Sequence, residues 1–259
     1  PYLYNTSILG GCSSQSGWNF ANGNDIVLDD NGHGTFVTKI ITTTLDSKSI
    51  GYRILPVKLF DFDGQGSYWN VLCGFGYVQS IIEGGGNIDI VNASFGGTIE
   101  DQLFDDKGLL NTMIDELGDK GVLVVTSAGN EGIDTDGGPL KHFPSGYSAD
   151  NIMAVGGYEF DTNGDAVIYL GPPGSNYGIQ SIDVAAPFDG WTVELKFSDA
   201  NLDGTSFSTA YVTGLSAAFF IDKGRPNPIQ LKSEFLNGAD IKISEELKPD
   251  INEGRYVER

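Results

Sequence analysis

Three separated segments of the 259-residue chain carry side chains that suit acyl-transfer chemistry. His33 lies in a compact turn between two glycines, which leave its imidazole uncrowded and able to act as a base. Ser206 follows Gly204-Thr205 directly before a long apolar stretch, so its hydroxyl would lie beside free N–H groups at a helix N-terminus. Asn130 ends a glycine-rich loop, and its amide can donate a hydrogen bond to an oxyanion. Together they would supply a base, a nucleophile and an oxyanion donor.

Each of the three segments also has a simpler explanation when it is taken alone. A histidine in a glycine turn is more often a structural or surface residue than a base. A serine after Gly-Thr is more often a helix N-cap than a nucleophile. An asparagine before Glu-Gly is typical of a turn. The chemistry therefore depends on whether the fold brings the segments together.

The elements that would position these segments alternate along the chain. Apolar runs of strand length are separated by helix-length segments with one apolar face, which predicts a mostly parallel sheet covered by helices on both faces. Ligands of such sheets bind at the carboxyl ends of the strands, where the Asn130 loop would lie. The predicted strands are Ile54–Phe60, Ile88–Val91, Val122–Val125 and Ile152–Val155. The predicted helices are Leu109–Leu117, Thr205–Ile221 and a segment opened by Asn227-Pro228 that ends near Leu236.

Taken together, the motifs resemble those of the subtilisin-like serine proteases (subtilases, the peptidase S8 family). Residues 32–39 read Gly-His-Gly-Thr-Phe-Val-Thr-Lys, residues 204–214 read Gly-Thr-Ser-Phe-Ser-Thr-Ala-Tyr-Val-Thr-Gly, and residues 128–132 read Ala-Gly-Asn-Glu-Gly. Their order and contexts match the histidine, serine and oxyanion motifs of that family. The resemblance runs through nearly the whole chain and implies a three-layer α/β/α fold with a mostly parallel central sheet.

The resemblance also implies a role for particular residues of a serine endopeptidase. Ser206 would attack the scissile carbonyl, His33 would act as general base, and Asn130 would help to hold the oxyanion. Substrate would pair in an extended form, by strand addition, between two segments. These segments are Gly66-Ser67-Tyr68 and Ser94-Phe95-Gly96, and Ser127-Ala128-Gly129 would form the floor of the main specificity pocket.

The triad aspartate of the family has no counterpart among the residues of this chain. Pro1-Tyr2-Leu3 resembles the stretch that shortly follows this aspartate, so we expect the aspartate upstream of Pro1. Asp25, Asp29 and Asp30 precede His33, but none follows an apolar strand with the family's Asp-(Ser or Thr)-Gly pattern. Loss of such an aspartate costs about 3 × 10⁴ in turnover, so we expect the 259 residues alone to be nearly inactive and, lacking a central strand, poorly stable.

Two explanations of the missing aspartate remain open. The favoured one is an N-terminally incomplete piece of an active protease. The other is a catalytically impaired, naturally Asp-less domain that binds extended peptides. A sedolisin-type site, with Glu and Asp in place of the histidine, is disfavoured by the intact Gly32-His33-Gly34-Thr35.

Composition excludes several other classes of function. The 15 basic and 35 acidic residues give a net charge of −20, and no basic cluster suits nucleic acid or an anionic membrane. No apolar run approaches the length of a membrane span. We expect a single domain over residues 1–259 with residues 241–259 as a surface tail, a monomer, and polypeptide substrates as partners.

The remaining expectations concern cysteines, calcium and location. Cys12 and Cys73 permit one disulfide, although free cysteines are the commoner case. The proposed chemistry requires no cofactor. Structural calcium gains little support, because residues 45–50 are short for the family's calcium loop and the two Asp-rich loops, 61–64 and 161–165, suit turns better. The acidic surface and the resemblance suggest a secreted or otherwise extracytoplasmic protein.

Overall fold

A computed structural model describes residues 17–194 and 199–259. The expectations for Cys12 and for Pro1-Tyr2-Leu3 lie outside these residues. The helices are α1 His33–Ser47, α2 Tyr68–Glu83, α3 Leu109–Asp119, α4 Thr205–Asp222 and α5 Pro228–Leu236. The strands are β1 Trp18–Asn19, β2 Val57–Lys58, β3 Ile90–Ala93, β4 Gly97–Glu100, β5 Leu123–Ser127, β6 Leu140–Phe143, β7 Ile152–Phe160, β8 Ala166–Ile168, β9 Val184–Pro187, β10 Trp191–Glu194, β11 Asp199–Leu202, β12 Lys242–Ile243 and β13 Arg255–Tyr256.

The central sheet has the strand order β12-β13-β9-β7-β5-β3, with β8 paired to β7. The contacts β3–β5, β5–β7, β7–β9 and β9–β13 are parallel, whereas β8 and β12 are antiparallel to their neighbours. Consecutive parallel strands place their carboxyl ends at one edge of the sheet. This edge carries the loops that follow β3 and β5.

Alternate residues of the central strands enter two separate cores, which makes the fold a three-layer α/β/α sandwich. Val122 and Val124 of the β5 segment pack toward the α2 and α3 side, together with Ile114. Leu123 and Val125 pack toward α4 and α5. A strand buried on both faces is a continuous apolar run, and this explains why the sequence shows no alternation here.

The predicted central elements agree with the structure to within a few residues. The strands predicted at 88–91, 122–125 and 152–155 correspond to β3, β5 and β7, and the three predicted helices to α3, α4 and α5. Asn227 caps α5 by accepting a hydrogen bond from the Gln230 N–H at 2.9 Å. The predicted strand 54–60 is reduced to the two residues of β2. The two Asp-rich loops are turns, since Asp61 and Asp161 each accept backbone N–H groups of their own loop.

The segment 241–259 is not the surface tail that its charge predicts. Its β13 joins the central sheet in parallel beside β9, with Tyr256 opposite Ala185. Leu247, Ile251 and Val257 are fully buried. These three residues of the charged segment therefore enter the core, whereas Ile243 stays exposed, and the three are too widely spaced to form a recognisable pattern.

Two helices meet where the site residues begin. Helices α1 and α4 pack directly against each other, and a cluster around Val37, Ile41 and Phe207 joins them to the β10–β11 hairpin. Within residues 17–194 and 199–259, no helix is both long and apolar enough to cross a membrane.

Candidate active site

The serine segment begins α4 at the carboxyl edge of the sheet. Gly204, the N-cap residue, has φ 123°, a conformation that residues with a Cβ rarely adopt. The chain then enters the helix with Ser206 as its second residue. In the described part of the chain the Ser206 N–H has no hydrogen-bond acceptor, so it remains available to an anion at the helix N-terminus.

Asn130 is held in one orientation by Thr205. Its Oδ1 accepts hydrogen bonds from the Thr205 N–H and from Thr205 Oγ1, both at 2.9 Å. A backbone N–H can only donate, so the oxygen must face Thr205 and the Nδ2 group must face the opposite way. Asn130 Nδ2 donates to none of the described residues, which leaves two N–H donors, Asn130 Nδ2 and Ser206 N, at the start of α4.

Ser94 and Ser206 join the loop after β3 to the start of α4. Ser94 Oγ donates to the Ser206 carbonyl at 2.7 Å, and Ser206 Oγ donates to the Ser94 carbonyl at 3.3 Å. Asn92 supports the pair, because it donates to Ser94 Oγ at 3.0 Å and accepts from Thr213 Oγ1 at 2.8 Å. The Ser206 hydroxyl is thus held by a single weak bond that a base could replace.

His33 is the first residue of α1 and lies beside the start of α4. Its ring centroid is 5.7 Å from that of Phe207, the residue after Ser206. Neighbouring protein atoms displace water from around the ring, and this desolvation lowers the pKa of His33. The negative charge of Asp29 acts to raise it. A lowered pKa keeps the imidazole neutral at pH 7, which is the form that accepts a proton.

Asp29 stabilises the turn that presents His33. Its carboxylate accepts hydrogen bonds from the N–H groups of Gly32 at 2.9 Å and Thr35 at 2.7 Å, and from Thr35 Oγ1 at 2.6 Å. Burial acts to raise the pKa of Asp29, but these bonds outweigh it and the pKa is lowered. The carboxylate is therefore committed to the N-terminus of α1.

The described residues do not contain a complete triad. Within residues 17–194 and 199–259, the His33 ring accepts no hydrogen bond from Ser206, and no carboxylate bonds to it. Catalytic hydrogen bonds are often long or absent before substrate binds, so the geometry does not disqualify the pair.

Two segments near Ser206 have main-chain groups available for an extended peptide. Among the described residues, the N–H and C=O groups of Gly66 and Gly96 form no main-chain hydrogen bonds. Aromatic contacts link the segments, with ring centroids 5.3 Å apart for Phe60 and Phe95 and 6.0 Å for Tyr68 and Phe143. Ser67 instead caps α2 by accepting from the Asn70 N–H at 3.1 Å.

The third predicted segment, Ser127-Ala128-Gly129, lies opposite Phe95 and is buried. Ser127 Oγ lies 3.5 Å from the Phe95 carbonyl. Asn176 supports the segment from behind by donating to the Ala128 carbonyl at 2.9 Å. Gly129 has φ 97° and is crowded on its Cα side, so no larger residue fits there.

Two residues that the sequence reasoning missed complete this region. Thr205 orients Asn130, and His142 of β6 is buried against Gly96 and Gly129. Both act through contacts between residues far apart in sequence. The only sequence signal was position, since His142 directly precedes Phe143-Pro144-Ser145, a further stretch that resembles the subtilases.

No metal site is evident in residues 17–194 and 199–259. Nowhere in them do three or more His, Cys, Asp or Glu side chains gather in a way that could hold an ion. Cys73, the described cysteine, is partly buried on α2 as a free thiol.

The chain belongs to the subtilase family, whose family model matches residues 7–248. "Subtilisin-like protease 2" of Pseudogymnoascus destructans is 29% identical over 214 residues, covering 81% of this chain and 47% of that protein. The "Cuticle-degrading serine protease" of Arthrobotrys oligospora is 28% identical over 232 residues, covering 88% of this chain and 51% of that protein. The chain thus spans about half the length of these curated relatives.

Solved structures agree on the fold. A cold-adapted subtilisin-like serine proteinase superposes with a TM-score of 0.71 at 20% identity, covering 92% of this chain and 78% of that one. The structure described as that of subtilase cytotoxin SubAB assembly gives a TM-score of 0.69 at 21% identity, covering 87% of this chain and 73% of that one. The three-layer fold expected from the motifs is therefore confirmed.

Proposed function

We propose that this domain is the catalytic domain of a serine endopeptidase. Family membership supports a serine peptidase in general, and the orientation of Asn130 carries the finer assignment. Thr205 occupies the asparagine oxygen and leaves its Nδ2 group free beside the free N–H of Ser206. Two free donors at a helix N-terminus suit the oxyanion of an acyl-transfer reaction.

The proposed mechanism uses three side chains and one backbone group. Ser206 Oγ attacks the scissile carbonyl while His33 takes its proton, and the carbonyl oxygen becomes an oxyanion held by Asn130 Nδ2 and the Ser206 N–H. His33 then gives the proton to the leaving amine, which departs and leaves an acyl-enzyme on Ser206. Water, activated by His33, hydrolyses this ester and frees the serine. No acid among the described residues is bonded to the His33 ring to orient it.

The substrate would lie extended between the two glycine-containing segments. Gly66 and Gly96 would pair with the peptide main chain, and Tyr68 and Phe95 would flank its side chains. The segment 127–129 would receive the side chain that precedes the scissile bond. This arrangement treats the substrate as a polypeptide strand and needs no bound cofactor.

A fluorophosphonate probe tests the proposal in the full-length protein. The probe should label wild type at Ser206, and labelling should be lost in Ser206→Ala and strongly reduced in His33→Ala. Ser216→Ala is a matched control on the same helix, because the buried Ser216 Oγ has no partner among the described residues and its loss should leave labelling intact. Equal labelling of wild type and Ser206→Ala would refute the assignment.

A catalytically impaired domain that binds extended peptides is the second candidate. It is favoured by the absence of a carboxylate bonded to His33 among the described residues. In that case a peptide should bind between the glycine segments without being cleaved, in wild type and in Ser206→Ala alike. Cleavage by the full-length protein, followed by mass spectrometry, would exclude this candidate.

An extracytoplasmic location is part of the proposal. The net charge of −20 and the family resemblance support it. We also propose a monomer, which size-exclusion chromatography with light scattering would check. Detection of the protein in the culture medium, with a cytoplasmic enzyme as control, would test its export.

A further inference from the structure

The second histidine of the chain is buried under the region assigned to substrate. His142 lies on β6 and is 2% exposed. Its Nδ1 shares a hydrogen bond of 2.8 Å with Ser145 Oγ, which fixes the plane of the ring. The proposed reaction gives His142 no role.

The His142 ring lies between two segments of the substrate region, 94–96 and 127–129, which we call its walls. A Cβ atom added to Gly96 would lie 2.5 Å from His142 Nε2, and one added to Gly129 would lie 2.7 Å from His142 Cδ2. Both distances are far shorter than normal carbon contacts, so the ring already touches the main chain of both walls. It therefore packs against the faces of Gly96 and Gly129 on which a side chain would stand.

A carboxylate also lies beside Gly129. Glu131 Oε2 would lie 2.6 Å from a Cβ at Gly129, and it accepts a hydrogen bond from Asn176 Nδ2 at 2.6 Å. Burial lowers the pKa of His142 to about 4, although the charge of Glu131 partly opposes this. The ring is therefore neutral at pH 7 and is fixed by Ser145 on one side and by both walls.

We propose that His142 determines specificity by limiting the depth of the cleft between residues 94–96 and 127–129. The cleft then accepts a small side chain, that of Gly, Ala or Ser, at the substrate residue whose carbonyl Ser206 attacks. The inference rests on the proposed function for the placement of substrate. Its content is the steric effect of one ring, since a large side chain would have to displace a buried, hydrogen-bonded imidazole.

Product-like peptides test the inference without requiring catalysis. Acetylated tetrapeptides that differ only in a C-terminal Ala, Phe or Lys carry the relevant side chain at the position next to Ser206. Calorimetry on the full-length protein should show the Ala peptide binding at least about 10-fold more tightly than the Phe peptide. In His142→Ala this order should reverse, because the cleft gains the volume of the ring.

His142→Phe is the matched variant, since it keeps a ring between the walls and should keep the preference for Ala. A wild-type preference for Phe or Lys overturns the inference even if His142→Ala fails to fold. So does an unchanged order in a folded His142→Ala, or no binding of any peptide. If the fluorophosphonate labels Ser206 without such size selection, the proposed function stands and this inference fails. If peptides bind with size selection but the probe does not label Ser206, this inference stands and the proposed function fails.

Discussion

The two halves of the candidate active site are held in different ways. The serine half is fixed by contacts between distant segments, because Ser94, Asn130 and Thr205 connect the loops after β3 and β5 with α4. The histidine half is fixed mainly by its own turn, through Asp29 and the N-terminus of α1. His33 is exposed, whereas Thr205 is fully buried.

This difference separates two requirements of an acyl-transfer site. An oxyanion donor must not move as charge develops, so it benefits from a rigid, buried setting. A base must exchange protons with serine and leaving group, so it needs access and some freedom. We therefore expect substitutions in the serine half to cost more than matched ones in the histidine half.

Paired glycine substitutions should give the largest contrast. Gly129→Ala places a Cβ at φ 97° and 2.7 Å from His142 Cδ2, so we expect it to lower the free energy of unfolding by ~3 kcal/mol or more. Gly34→Ala meets nothing closer than Asp29 Oδ2 at 3.7 Å and lies within α1, so it should be neutral or slightly stabilising. Urea denaturation of both variants measures the difference, and equal losses would contradict it.

Two substitutions at Asn130 distinguish its role as oxyanion donor from its role as hydrogen-bond acceptor for Thr205. Asn130→Ala should lower kcat by about 10² to 10³ and also destabilise the loop, because it removes the acceptor for Thr205. Asn130→Asp keeps that acceptor and loses only the donor. It should therefore lower kcat at least as much while leaving the melting temperature nearly unchanged. Normal turnover by Asn130→Asp would show that the amide does not stabilise the oxyanion.

The buried His142 should make the stability of the serine half depend on pH. His142 has a pKa of about 4 in the folded protein against 6.5 when unperturbed, so the unfolded chain takes up a proton first as pH falls. Stability is then complete above pH 6.5 and declines between pH 6.5 and about 4, by up to about 3 kcal/mol. Urea denaturation across this range should show the decline in wild type and a smaller one in His142→Phe. Parallel curves for the two proteins would contradict the assignment.

The sequence could predict what depends on local pattern. The helix that begins after Gly204 and the one capped by Asn227 follow from nearby residues, and the continuous apolar runs predict the buried strands. It could place His33, Ser206 and Asn130 only through a family resemblance, because their proximity depends on α1 packing on α4.

Features that depend on distant contacts were not predictable from pattern. Thr205 orients Asn130 across 75 positions, and His142 contacts Gly96 and Gly129, which lie in two other loops. The prediction of a surface tail for residues 241–259 was wrong, because only the assembled sheet provides a place for β13. Such contacts have no periodicity that a single sequence could reveal.

The smallest expected effect lies in the histidine half, at Asp29. Asp29→Asn loses the acceptor for Thr35 and should lower the free energy of unfolding by about 1 to 2 kcal/mol at pH 7. The pKa of Asp29 is lowered in the folded protein, so its contribution is present above its unperturbed value of 3.8 and is lost as pH falls below it. The variant and wild type should therefore converge in acid. Asp25→Asn, at an exposed carboxylate, is the control and should match wild type throughout.

NMR titration should also show a lower pKa for His33 in Asp29→Asn, because the charge that raises it has been removed. An unchanged His33 pKa would mean that the turn positions the imidazole without tuning it, which would make the two halves differ in electrostatics as well as in rigidity.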